Sequence, residues 1–204
     1  MVRITPAEKT AKTIGLISIL SILTAAGWGQ EKQATLEFAP ARSTVSFTLG
    51  DVLHTVHGTF NLKSGTVHFD PSSNAISGMI IVDATSGDSG SNARDRKMHK
   101  DVLESSKYSE VNFRPDRVEG KVSLEGPSEV QVHGMFGIHG SEHEITVPVH
   151  VELAPDHWSL TAHFEVPYVS WGLKDPSTFI LRVAKGVVID LQAAGSNPGN
   201  AQSQ

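Results

Sequence analysis

The sequence predicts an all-β fold of eight or more antiparallel strands with one short α-helix. Three observations carry this. From Thr35 to about Leu191 apolar residues recur at every second position, with Ser, Thr, His, Asn or charged residues between them. Turn-forming clusters separate the runs, among them Gly50-Asp51, Asp70-Pro71-Ser72-Ser73-Asn74 and Ala154-Pro155-Asp156-His157. Only the polar stretch from Asn92 to Phe113 abandons this period for a helical one. A sandwich and an up-and-down barrel both fit the pattern, and no repeat period of the propeller or solenoid kind is present. The barrel removes the exposed edges that Thr- and Val-rich strands would otherwise offer for aggregation. A barrel of eight strands is either filled by its own side chains or wide enough for one small ligand.

Ahead of the strands, Arg3, Lys9 and Lys12 precede an apolar run from Ile14 to Leu23 and the small residues Thr24, Ala25, Ala26 and Gly27. This is the layout of a secretory signal peptide over residues 1–29, cut after Ala26 or Gly29, with an uncleaved signal anchor as the alternative. The apolar run is about half the roughly 20 residues a spanning helix needs, so no stable membrane insertion is expected after cleavage. Without those residues the chain keeps 14 Lys and Arg against 21 Asp and Glu, a net charge of −7. A chain so acidic is a poor partner for nucleic acid or anionic lipid surfaces. With no Cys there is no disulfide framework, thiolate metal site or catalytic thiol. The expected address is the periplasm or the extracellular space, with one domain over residues 30–194 and a disordered tail over 195–204.

The strands follow in order. Val45, Phe47 and Leu49 alternate with polar residues, then Val56, Gly58, Phe60 and Leu62, and Gly65 marks a bend before Val67 and Phe69. Ile76, Gly78, Ile80 and Val82 form the next stripe; Met79 and Ile81 make that strand apolar on both faces, predicting cover on both. After Val111 and Phe113, a loop from about Glu119 to Glu129 precedes Val130, Val132, Gly134, Phe136 and Ile138. His139-Gly140-Ser141 turns into Ile145, Val147, Val149, Val151 and Leu153. Trp158 to Val166 alternate next, Pro167 ends that run, and Phe179, Leu181 and Val183 alternate before Val187, Ile189 and Leu191. Gly58, Gly78 and Gly134 share the apolar parity, where they allow strand coiling and leave volume unfilled. That volume is either a cavity or a bend in a packed core.

The helix is expected to begin near Ala93, with Asn92 as its cap and Asp95 in its first turn. Met98, Val102 and Leu103 give it a narrow apolar stripe, and Lys97 and Asp101 are an i,i+4 pair. About three turns long, it must dock on something apolar to persist. It either closes one end of a core or gates a ligand mouth.

Four blocks resemble the YceI family of exported lipid- or polyisoprenoid-binding proteins: Ser43 to Phe47 (STVSF), His57 to Phe60 (HGTF), Asn92-Ala-Arg-Asp through Lys107 to Phe113, and Gly134 to Val149 (GMFGIHGSEHEITVPV). The likeness covers residues 35–193. It implies a lipocalin-like barrel with a helix near its mouth and a hydrophobic tunnel for a chain such as an isoprenoid, no cofactor besides that ligand, and a homodimer. The chain departs from the family pattern at Arg42-Ser43, at Tyr108-Ser109, and from Tyr168 to Pro176.

Strand parity places Val45, Phe47, Val56, Phe60, Ile80, Val82, Phe113, Phe136, Ile138, Val147, Val149, Phe164 and Val166 along the interior. Met98 and Leu103, with Tyr168 and Trp171, are candidates for the mouth, and Arg94 for a head-group contact. At about −0.3 kcal/mol per heavy atom a forty-atom chain would bind near −12 kcal/mol, on the order of nanomolar, with no polar motif. Two rival readings remain. His57, His133, His150 and His163 invite a metal or acid–base site, but their parity points them outward and their spacing is not that of metal ligands. Neither a Gly-x-Ser-x-Gly elbow nor a P-loop nor a dinucleotide fingerprint occurs, so no enzyme is expected. The other reading is a filled-core interaction module, in which Phe side chains occupy the glycine positions.

Overall fold

The computed structural model describes residues 33–50, 54–179 and 182–196. The signal-peptide segment, Leu181 and residues 197–204 of the expected tail lie outside the described residues. The strands are β1 (Ala34–Phe38), β2 (Ser43–Gly50), β3 (Thr55–Asp70), β4 (Ala75–Asp88), β5 (Glu110–Glu119), β6 (Gly126–Ile138), β7 (Ser141–Leu153), β8 (His157–Val166) and β9 (Val187–Ser196). From β2 onward each strand pairs antiparallel with the next, and β9 returns to pair with β2, closing the ring. The 3₁₀ turn Pro40–Arg42 breaks β1 from β2. Both halves lie on one edge of the long β3, β2 against Thr55 to Phe60 and β1 against Gly65 to Phe69, while β4 takes the other edge. Nine strands therefore fill eight positions of an up-and-down barrel.

Two irregularities keep the apolar face inward. β3 slips register between Leu62 and Ser64, which moves the inward parity from Val56 and Phe60 to Val67 and Phe69. β5 slips between Pro115 and Arg117, passing it from Phe113 to Val118. Pro115 has no N–H to lose and is tolerated at such a bulge. At the β6–β7 hairpin, His139 and Gly140 have φ of 52° and 76° between the paired Ile138 and Ser141, a two-residue turn matched to strand twist. The β3–β4 turn is held by Asp70, whose carboxylate accepts from the Ser72 N–H and Oγ (2.9 and 2.7 Å) and the Ser73 Oγ (2.7 Å). These bonds, the Ser73 hydroxyl first, lower its pKa to about 2.

The helix forms where the sequence places it, as α1 (Asn92–Lys97) continued by a π-helical turn, Met98–Val102. Its details differ from expectation. The cap position falls on Ser91, whose side chain makes no capping bond. Asp95 reaches back instead to the Ser89 N–H (3.0 Å) and Oγ (2.5 Å). Lys97 donates to the Pro176 carbonyl (3.1 Å) rather than pairing with Asp101. His99 Nε2–H donates to the Gly87 carbonyl (2.9 Å), which leaves Nδ1 to accept from the Ser105 hydroxyl (3.0 Å). These bonds pin the helix over the end of the barrel where β2, β4, β6 and β8 finish.

Other differences have plain causes. Met79 is 36 % exposed and Ile81 only partly buried, because nothing packs on the outer face of β4 among the described residues. The described part of the β8–β9 connection is a loop, not an alternating strand: Phe179 is 96 % exposed, while Tyr168 and Leu173 turn into the barrel end. β6 begins at Gly126, four residues before its first Val, and β9 runs to Ser196, where Gly195 lies against Trp158. Trp158 is wholly buried against Phe38 (ring centroids 5.1 Å) and seals the end opposite the helix.

Candidate functional site

A cavity of about 410 Å³ runs along the barrel axis. Its floor is Phe38, Leu153 and their neighbours from β1, β3 and β7; its upper end is formed by Met98, Val102 and Leu103 of the helix with Tyr168 and Leu173 of the β8–β9 loop. The wall is almost entirely Val, Leu, Ile and Phe, interrupted by Asn112, Pro115 and Ala162, because one parity of every strand is apolar and the two bulges keep it inward.

The glycines expected to leave volume do not make this space. A side chain at Gly58 would collide with the Phe47 ring and the Asp88 carbonyl. Gly134 is covered in the same way by Phe113 (2.9 Å) and the Arg114 carbonyl. Gly78 has φ of 126° and lies against the Thr66 carbonyl, so it serves backbone geometry. Phe side chains do fill two of the three positions, Gly58 and Gly134, as the filled-core reading requires, and the bore remains open nonetheless.

Of the residues that parity and helix phase nominated, Val45, Phe47, Val56, Phe60, Ile80, Val82, Phe113, Phe136, Ile138, Val147, Val149, Phe164 and Val166 all line the cavity, and so do Arg94, Met98, Leu103 and Tyr168. Trp171 does not. Its ring packs on Phe136 (5.6 Å) and stacks on His143 (4.4 Å, interplanar angle 1°) outside the lining. His143 itself went unnoticed in the sequence, although it pairs across from Phe136 and so shares its face. The lower lining, including Val67, Phe69, Val132, Val151 and Leu160, follows from the same parity but is not among the nominated residues. Lys97, read from the sequence only as a partner for Asp101, and Ser89, which precedes the helix, also line the upper end.

Polar groups at this end are few. The Tyr168 hydroxyl donates to the Ala184 carbonyl (2.7 Å), and burial, with a smaller contribution from the Asp175 charge, pushes its pKa up to about 12. Asp175 is held below the ordinary range by Ser177 and, less strongly, by Lys185. Arg94 Nε donates to Ser89 Oγ (2.7 Å) and its Nη2 to the Ser89 carbonyl (2.8 Å). The outward histidines have separate partners: His57 bonds Thr48, His133 bonds Asp116, His150 bonds Glu129 and His163 bonds Asp190. Among the described residues no three His, Asp or Glu side chains come together as a metal site.

The sequence profile of the YceI-like domain matches residues 36–194, which takes in part or all of every barrel strand. The chain belongs to the YceI-like domain family. Solved structures share the architecture. Burkholderia cenocepacia BcnA superposes with a TM-score of 0.64 at 20 % identity, over 78 % of this chain and 99 % of that one. A polyisoprenoid binding domain from Saccharophagus degradans gives 0.60 at 14 %, over 82 % and 100 %. The Campylobacter jejuni YCEI protein gives 0.59 at 16 %, over 71 % and 86 %. At these identities the likeness is one of fold. A search of curated proteins finds no match. Among the described residues of this YceI-like chain, no helix is long and apolar enough to cross a membrane.

Proposed function

We propose that this YceI-like protein binds a long-chain apolar lipid, a polyisoprenoid or similar molecule, in the axial cavity and carries or stores it in an extracytoplasmic compartment without catalysing a reaction. The observation that carries the reading is the cavity: about 410 Å³ of nearly unbroken hydrocarbon wall, reached from the end under the helix. Away from the few polar groups at the helix end, a wall of this kind gains from every methylene it covers. The polyisoprenoid binding domain of similar fold supports the ligand class.

The lining runs the length of the barrel, from Phe38 and Leu153 to Met98 and Leu103, so a single apolar chain can lie along it. Each heavy atom so covered contributes about −0.3 kcal/mol. Native mass spectrometry of the purified protein, followed by organic extraction, tests the proposal. A discrete apolar species of several hundred daltons is expected. A protein that is empty and also fails to take up added farnesol or a fluorescent fatty acid would refute it.

A further inference from the structure

The cavity lining contains two charged side chains, Arg94 and Lys97, and neither a carboxylate nor a histidine. They lie three residues apart in α1, so their side chains are neighbours, with Cβ atoms about 5–6 Å apart on one helix face. Met98 continues that face into the bore. Among the described residues each cation is held only by neutral oxygens, Arg94 by the Ser89 hydroxyl and carbonyl and Lys97 by the Pro176 carbonyl. The adjacent carboxylate of Asp95 is engaged by the Ser89 N–H and hydroxyl, the hydroxyl that Arg94 also bonds. Asp88 is occupied by the Gly90 N–H (2.7 Å). Two full positive charges thus stand where an apolar bore meets water, in a chain whose formal net charge is −5.

We infer that the ligand is an anionic amphiphile: a single apolar chain in the bore with a carboxylate or monophosphate at the mouth, received by Arg94 and Lys97. This rests on the lipid-binding proposal and adds the head-group class to it. An apolar tail gives depth without polarity preference, whereas guanidinium and ammonium donors make stronger hydrogen bonds to an ionised oxygen than to a hydroxyl. The anion need not displace an internal ion pair to reach them. Because both side chains are exposed and screened, the preference is modest.

Displacement of a neutral fluorescent probe from the purified protein tests this with matched pairs, tetradecanoic acid against tetradecanol and farnesyl phosphate against farnesol. The anionic member of each pair is expected to bind about five- to tenfold tighter at pH 8 in low salt. That advantage should shrink toward unity at high salt. Lys97→Gln and Arg94→Gln should each reduce the ratio of anion to alcohol affinity measured within the same variant. Lys97→Glu should invert it. Equal affinity for acid and alcohol, or an acid preference that survives both Lys97→Glu and Arg94→Gln, overturns the inference. Failure of all four compounds to bind overturns the tail-binding proposal instead. The two pairs also separate the anion sources: a preference confined to the phosphate pair identifies a prenyl phosphate site, and one confined to the acids a fatty-acid site.

Discussion

Replacing Ala162 by Leu separates a ligand cavity from an ordinary core. Ala162 lies on β8, paired with Val149 and Leu191, and its methyl faces the bore. The substitution adds three heavy atoms to a cavity of about 410 Å³. If that space is empty, the new atoms gain contacts without displacing packed neighbours, and stability of the ligand-free protein should rise by about 1–2 kcal/mol. At about 2–4 °C per kcal/mol the thermal midpoint moves up by several degrees. A ligand occupying the same volume loses three groups, worth about 0.3 to 0.8 kcal/mol each, so its affinity should fall by about five- to sixtyfold. The assay pairs thermal unfolding of delipidated protein with farnesol titration of wild type and variant. Opposite signs are expected: a higher melting temperature and weaker binding. A lower melting temperature would mean that Ala162 meets a packed interior, and unchanged affinity would mean that the ligand does not enter the bore. Either result would refute the reasoning.

Gly58→Ala should destabilise the fold by about 1–3 kcal/mol, since its methyl meets a ring that can yield and a backbone carbonyl that cannot. Gly50→Ala, whose nearest neighbour would be the Ala184 Cβ at 4.0 Å, should change little in the same denaturant titration. Tyr168 predicts an alkaline limb. Its folded pKa is raised to about 12 from the model-peptide value of 10.0, so its contribution is intact below pH 10 and is lost as pH climbs toward 12, where the unfolded chain ionises first. Denaturant midpoints measured across that window should fall in wild type and flatten in Tyr168→Phe. The variant should also lose about 1 kcal/mol at neutral pH with the bond to Ala184.

The order of strands, their inward faces and the position of the helix were legible because each depends on short-range information. A period of two assigns Val147, Val149 and Val151 to one side of a strand wherever that strand ends up, and Asp70-Pro71-Ser72-Ser73 builds its turn from its own side chains. Bulges partly hide in that signal. Gly65 and Pro115 mark them, but the slip itself is visible only in the pairing of β3 with β4 and of β5 with β6. The Phe179 stretch alternated like a strand and formed none among the described residues. Alternation records what a segment could bury, and here Tyr168 and Leu173 already occupy the barrel end.

The sequence alone determined that the chain is all-β, that its strands each carry one apolar face, and that a helical segment interrupts them, since these follow from local periodicity and turn chemistry. The tertiary structure decided the rest. Closure of β9 on β2 turned one of two equally patterned architectures into a barrel. Packing of Phe47 on Gly58 and of Phe113 on Gly134 moved the free volume from the glycines to the axis. Docking of the helix, through Ser89, Gly87 and Pro176, set Arg94 and Lys97 at the mouth. Each of these joins residues distant in the chain, and free volume is what remains after every side chain has been placed, so no local pattern records it.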